Sequence, residues 1–154
     1  MDTPKVTDAH EKLERLVGTW VGAEQLNPSP WDPEGGPAEG RVENRRALDG
    51  FAVVQDYTQT RNGAVSYRGH GVFGWDAARG VYTMHWWDSM GSPVNTFEGT
   101  FEGDVLTLSF AGAQGHHRTT MTFSGSDGYS FEMDVSPDGD QWYPFMSGTY
   151  SKRN

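Results

Sequence analysis

Leu16-Val17-Gly18-Thr19-Trp20 is the stretch on which the reading of this chain turns. Before it, Ala9, Leu13, Leu16 and Val17 recur at helical spacing, which predicts one short amphipathic helix over residues 8 to 17. Asp8 followed three residues later by Glu11 fits a capping box at its start. After Trp20 the apolar period changes to two, and helical patterning does not return. A bulky indole at that junction can plug the floor of a barrel. Gly18 and Thr19, both small, let helix and strand turn sharply against each other.

Beyond the junction, strands are predicted over 41–48, 51–60, 64–75, 80–88, 94–102, 104–110, 116–123, 128–135 and 141–151. Asn62-Gly63 is a hairpin signal of type I′, and Asp127-Gly128 and Asp138-Gly139 are similar. So many strands beside a single helix are best reconciled by closure, which removes free sheet edges. The expectation is an all-β fold, a closed or nearly closed antiparallel barrel of about eight to ten strands with one short N-terminal helix. Residues 1–154 are expected to form a single domain, since that length suits one core. Residues 27–40 hold three prolines within six residues, with a fourth after Gly35-Gly36, and read as a loop. Trp31 in its middle suggests a lid over the barrel mouth rather than a plain linker.

Alternation assigns the inward faces. Phe51, Val53, Gln55 and Tyr57 share one; Tyr67, Gly69, Gly71, Phe73 and Trp75 another; Tyr82, Met84, Trp86 and Asp88 a third. Then come Asn95, Phe97 and Phe101; Leu106, Leu108 and Phe110; His117, Thr119, Met121 and Phe123; Tyr129, Phe131, Met133 and Val135; and Trp142, Met146 and Tyr150. In strand 41–48, Val42 and Leu48 bracket Asn44 and Arg46, so both polar residues are expected inside. Asp88 is the one acid nominated for the interior. A slip of one residue would invert any of these sets.

Composition bounds the partners. Lys+Arg of 12 against Asp+Glu of 21 leaves a net charge of −9, which repels phosphate backbones and anionic lipid. No nucleic acid and no membrane is therefore expected as a partner. Aromatic residues make up 13% of the chain, and such large side chains suit the inward positions of a barrel. Cysteine is absent, which excludes disulfides, thiolate metal sites and cysteine nucleophiles. A polar N-terminus without an apolar run leads to the expectation of a soluble cytoplasmic protein.

The order helix, Gly-x-Trp, strand meander and basic tail (Tyr150 to Arg153) is similar to the calycin superfamily, which includes lipocalins, fatty-acid-binding proteins and nitrobindins. More closely, the chain resembles the DUF1579 family. Leu16 to Trp20, Arg46-Ala-Leu-Asp-Gly50, His70 to Asp76, Trp86-Trp-Asp-Ser89 and Gly99-Thr-Phe-Glu-Gly103 carry that likeness. The resemblance implies a calycin-like barrel and no settled activity. By analogy with lipocalins, Lys152 or Arg153 would pack on the Trp20 indole. Nitrobindins hold haem through a histidine on the closing strand. Here that strand presents Met146, and His117 is a substitute for the histidine, so a haem binder is kept as an alternative and no cofactor is expected.

Other motifs weigh less. Gly69-His-Gly-Val-Phe-Gly74 matches the dinucleotide pattern literally, but it lies in a strand with no βαβ unit following. Its glycines are read as points where a strand coils. His10, His70, His85, His116 and His117 form no metal-ligand spacing, and adjacent His116 and His117 point to opposite faces, so no metal site is assigned. Trp86 and Trp87 likewise diverge. The outward indole, Trp87, is a candidate homodimer surface or lies under the lid.

The expected function is binding of a small hydrophobic or amphipathic ligand, anionic or carbonyl-bearing, with Arg46 and His117 as polar anchors. Tyr57, Tyr67, Trp86, Asn95, Met133, Trp142 and Met146 complete the candidate ligand-binding set. Alternatives are a cofactor-independent isomerase or cyclase using His117 as acid or base, and a filled, purely structural barrel.

Overall fold

The computed structural model describes residues 2–30, 32–113 and 115–153. Helix α1 (Asp8–Lys12) runs into a 3₁₀ turn over Leu13–Leu16. Its N-cap is Thr7 rather than Asp8, and the residue reaching back is His10, whose Nδ1 accepts the Thr7 amide proton at 3.1 Å. The helix leads directly into β1 (Gly18–Leu26). There follow β2 (Gly36–Ala47), β3 (Ala52–Arg61), β4 (Ala64–Asp76), β5 (Val81–Asp88) and β6 (Asn95–Glu102). The meander ends with β7 (Val105–Gly112), β8 (Gly115–Ser124), β9 (Gly128–Ser136) and β10 (Tyr143–Arg153). Each strand pairs antiparallel with its sequence neighbours, and β10 closes on β1, giving the expected closed barrel with ten strands.

Two turns carry the expected chemistry differently. Asn62 and Gly63 both have positive φ, 53° and 78°, as a type I′ hairpin requires. At Asp127-Gly128 the positive φ falls instead on Gly125, and Gly128 already pairs with Ser124.

The segment expected as a lid over 27–40 is shorter than its proline content suggested. Residues 36–40 belong to β2, opposite Leu26 to Gly22. Pro37 is tolerated because β2 pairs there only with β1; pairing with β3 begins at Glu39. Before β2, Asp32 and Gly35 are both held by Arg61. Arg61 forms an ion pair with Asp32 at 2.6 Å and donates to the Gly35 carbonyl at 2.6 Å. Trp31, on which the lid reading rested, lies outside the described residues.

The floor is where the opening pentapeptide acts. Trp20 is 1% exposed, and its indole N–H donates to the Leu16 carbonyl at 2.9 Å. Asn44 donates to the same carbonyl at 2.8 Å, so the end of the 3₁₀ turn is satisfied from two strands. Leu13 and Leu16 are fully buried against this indole, and Tyr129 meets it edge-on with centroids 4.9 Å apart. Beneath it the Lys152 ammonium sits 5.0 Å from the ring centroid. Of the two basic residues expected there, Lys152 takes the place.

Candidate functional site

Above the floor the barrel encloses a cavity of about 350 Å³. Its wall comes from the alternating inner positions of the strands, chiefly Phe73, Met84, Phe97, Leu108, Phe110, Met121, Phe131, Met133 and Met146. Seven of the nine sequence-nominated residues line it: Tyr57, Tyr67, Trp86, Asn95, His117, Met133 and Met146. The structure brings these seven together and leaves Arg46 and Trp142 elsewhere.

Arg46 has the expected register but the wrong level. It pairs with buried Val53, yet β2 has by then run past the floor, where Asn44 already meets the helix. The guanidinium therefore emerges beneath the barrel. It is 54% exposed and binds Glu14 at 3.0 Å and the Asp49 carbonyl at 2.9 Å. Leu48, expected inward with it, is exposed and has positive φ.

Trp142 faces outward because alternation breaks on β10. A register shift between Pro144 and Met146 inserts a bulge, so that Phe145 and Met146 both face the cavity. Trp142 lies outside, under the Arg118 guanidinium at 4.1 Å and edge-on to His116.

Trp86 and Trp87 diverge as expected, with Trp87 44% exposed on the outer surface. Trp86 explains the two glycines of the false dinucleotide pattern. A Cβ on Gly69 would collide with its six-membered ring, and one on Gly71 would press that ring at 3.1 Å. The glycines clear a bed on β4 for the indole from β5. The Trp86 N–H donates to the Tyr67 hydroxyl at 3.1 Å, which in turn donates to Asp88 at 2.7 Å. Burial, reinforced by Asp88, pushes the Tyr67 phenol well above the ordinary tyrosine range.

A second polar group was not foreseen. Glu24 is 4% exposed, and among the described residues it has no ion pair. Three donors satisfy it instead. The Tyr57 hydroxyl lies 2.8 Å from both carboxylate oxygens, the Tyr150 hydroxyl bonds one of them, and the Gln59 amide reaches the other at 3.3 Å. Burial and then the Glu24 charge hold the Tyr57 and Tyr150 phenols protonated far above their usual range. Gly40 makes the space: a Cβ there would strike the Tyr150 hydroxyl and the Glu24 carboxylate. Stepping by two from Trp20 through Gly22 reaches Glu24, the one signal that could have found it.

His117 points into the cavity from β8. Burial, with His116 beside it, lowers its pKa, so the imidazole is neutral near pH 7. Neither its ring nor the Asn95 side chain makes a hydrogen bond to another described residue, so both are free to meet a ligand.

A closed ten-stranded antiparallel barrel with a mainly apolar internal cavity is the class that fold and site define. The chain belongs to the DUF1579 family, described as proteins of unknown function, whose model matches residues 5–152. Among solved structures it is similar to Rv2717c from M. tuberculosis, at 13% identity and a TM-score of 0.72, covering 97% of this chain and 100% of that one. It is also similar to the S-type phycobiliprotein lyase CPES from Guillardia theta, at 11% identity and a TM-score of 0.62, covering 96% and 93%. At these identities the likeness is one of fold. No curated protein matches the chain. No helix among the described residues is long and apolar enough to cross a membrane.

Proposed function

We propose that this protein is a calycin-like binding barrel that holds one small apolar or amphipathic molecule in its interior. The single observation that carries this reading is the cavity of about 350 Å³, within the usual range for small-molecule sites, with apolar walls and two unbonded polar side chains, Asn95 and His117. A purely structural barrel would fill that volume with side chains. The fold likeness to a phycobiliprotein lyase is consistent with ligand binding in a barrel of this shape. A cysteine-free acidic chain supports a soluble, cytoplasmic setting for the role.

The anionic head group first expected has lost its anchor, since Arg46 lies beneath the floor. Asn95 and neutral His117 suit a carbonyl or hydroxyl instead. For the haem alternative, His117 is the one histidine lining the cavity among the described residues. Met146 on β10 is already engaged by the Gln59 amide at 3.4 Å, and His117 is separated from it by β9 alone. Native mass spectrometry of the purified protein tests the reading. A retained small molecule, lost when Thr119→Phe narrows the cavity, is the expected result; a bare chain that takes up no apolar compound would contradict it.

A second reading keeps the same cavity and adds chemistry, as a cofactor-independent isomerase or cyclase. His117 favours it, because a neutral, unbonded imidazole beside a bound molecule can move a proton. In that case His117→Ala retains the ligand and abolishes its conversion.

A further inference from the structure

Arg46 was the only cation expected in the barrel, and its removal changes the sign of the interior. The cavity is left with Asp88 on its wall and Glu24 behind Tyr57, and among the described residues no lysine or arginine lines it. Asp88 has no ion pair among the described residues; its partners are the Tyr67 hydroxyl at 2.7 Å and the Met90 amide at 3.0 Å.

Tyr67, which donates to that carboxylate, belongs to an aromatic corner with Tyr57 and Trp86. Tyr57 and Tyr67 have centroids 5.9 Å apart at 61°, and Tyr57 and Trp86 have centroids 6.4 Å apart at 49°. Trp86 lies back on Gly69 and Gly71, so the face away from the strand looks inward. Tyr57 is thus inclined to both Tyr67 and Trp86, and electron-rich rings with a carboxylate at their edge are surroundings that attract a weakly hydrated organic cation. Such a cation also meets a favourable long-range field, since the chain carries a net charge of −9.

Building on the binding role proposed above, we propose that the cavity selects amphipathic organic cations, with the alkylammonium head in the Tyr57–Tyr67–Trp86 corner beside Asp88. The apolar tail lies along Met84, Met121 and Phe131. His117 adds no competing positive charge, because burial keeps its imidazole neutral.

The test titrates the full chain with hexyltrimethylammonium, hexan-1-ol and hexanoate, reading tryptophan fluorescence and heat. The cation binds about tenfold more tightly than the alcohol, and hexanoate binds weakest. Asp88→Asn removes the cation's advantage and leaves the alcohol's affinity unchanged; melting of the variant reports whether it is folded. The wild-type ranking needs no variant. Raising salt weakens the cation's binding and spares the alcohol's. If hexanoate matches or exceeds the cation, or the alcohol matches it, the selectivity is overturned while the binding role stands. If none of the three binds saturably, both fall.

Discussion

At the floor of the barrel, Trp20, Leu13 and Leu16 are buried, the indole N–H and the Asn44 amide share one carbonyl, and Lys152 seals the ring from below. In the upper half, Asn95 and His117 face about 350 Å³ of open space, and two glycines are given up so that Trp86 can lie against the wall. Both halves use the same alternating strands. The lower half fills and satisfies its interior, and the upper half withholds side-chain volume from it. The difference separates residues that hold the barrel together from residues that shape what it can contain.

The largest effect belongs to the floor. Trp20→Ala empties a fully packed site and should cost about 3–5 kcal/mol, read by urea or thermal unfolding. An unchanged melting temperature would break the contrast between the two ends. Next is the boundary between them, where Gly40→Ala drives a methyl into the Tyr150 hydroxyl and Glu24. A loss of about 1–3 kcal/mol is expected. Glu24→Leu sharpens this point, since it strands the donors of Tyr57, Tyr150 and Gln59, and should cost about as much.

Much of this is legible in the sequence. Inner positions along the middle of β3 to β9 follow from alternation, because each of those strands has one face in the core; the pattern breaks at a register shift on β4 beside Gln59 and at the end of β9, where Ser136 rather than Val135 is buried. Arg46 was misread because alternation gives a side and not a height, and β2 continues below the floor. Trp142 was misread because a bulge near Pro144 inverts the pattern, and bulges leave no local period to detect. Glu24 was missed for a different reason. A buried carboxylate is tolerable only with donors, and these come from positions 33, 35 and 126 residues away. No local pattern shows that they converge.

Alkaline pH gives a smaller effect. Tyr57, Tyr67, Tyr129 and Tyr150 all have pKa values raised above the ordinary 10.0 in the folded state. Their contribution is complete below pH 10 and declines as pH rises beyond it, because only the unfolded chain then releases those protons. Ultraviolet titration should show tyrosinate forming late, together with unfolding. Phenols titrating normally in a folded protein would refute the burial of the Glu24 network.

The cavity itself is tested most directly by a neutral apolar fluorophore, N-phenyl-1-naphthylamine, titrated into wild type and Thr119→Phe. Thr119 lines the cavity, so the added ring takes up ligand space while the floor stays as it is. Saturable one-to-one binding to wild type, largely lost in a variant whose melting temperature moves by only a few degrees, is the predicted result. Equal binding to both proteins, or none to wild type, would contradict an interior built to hold a ligand.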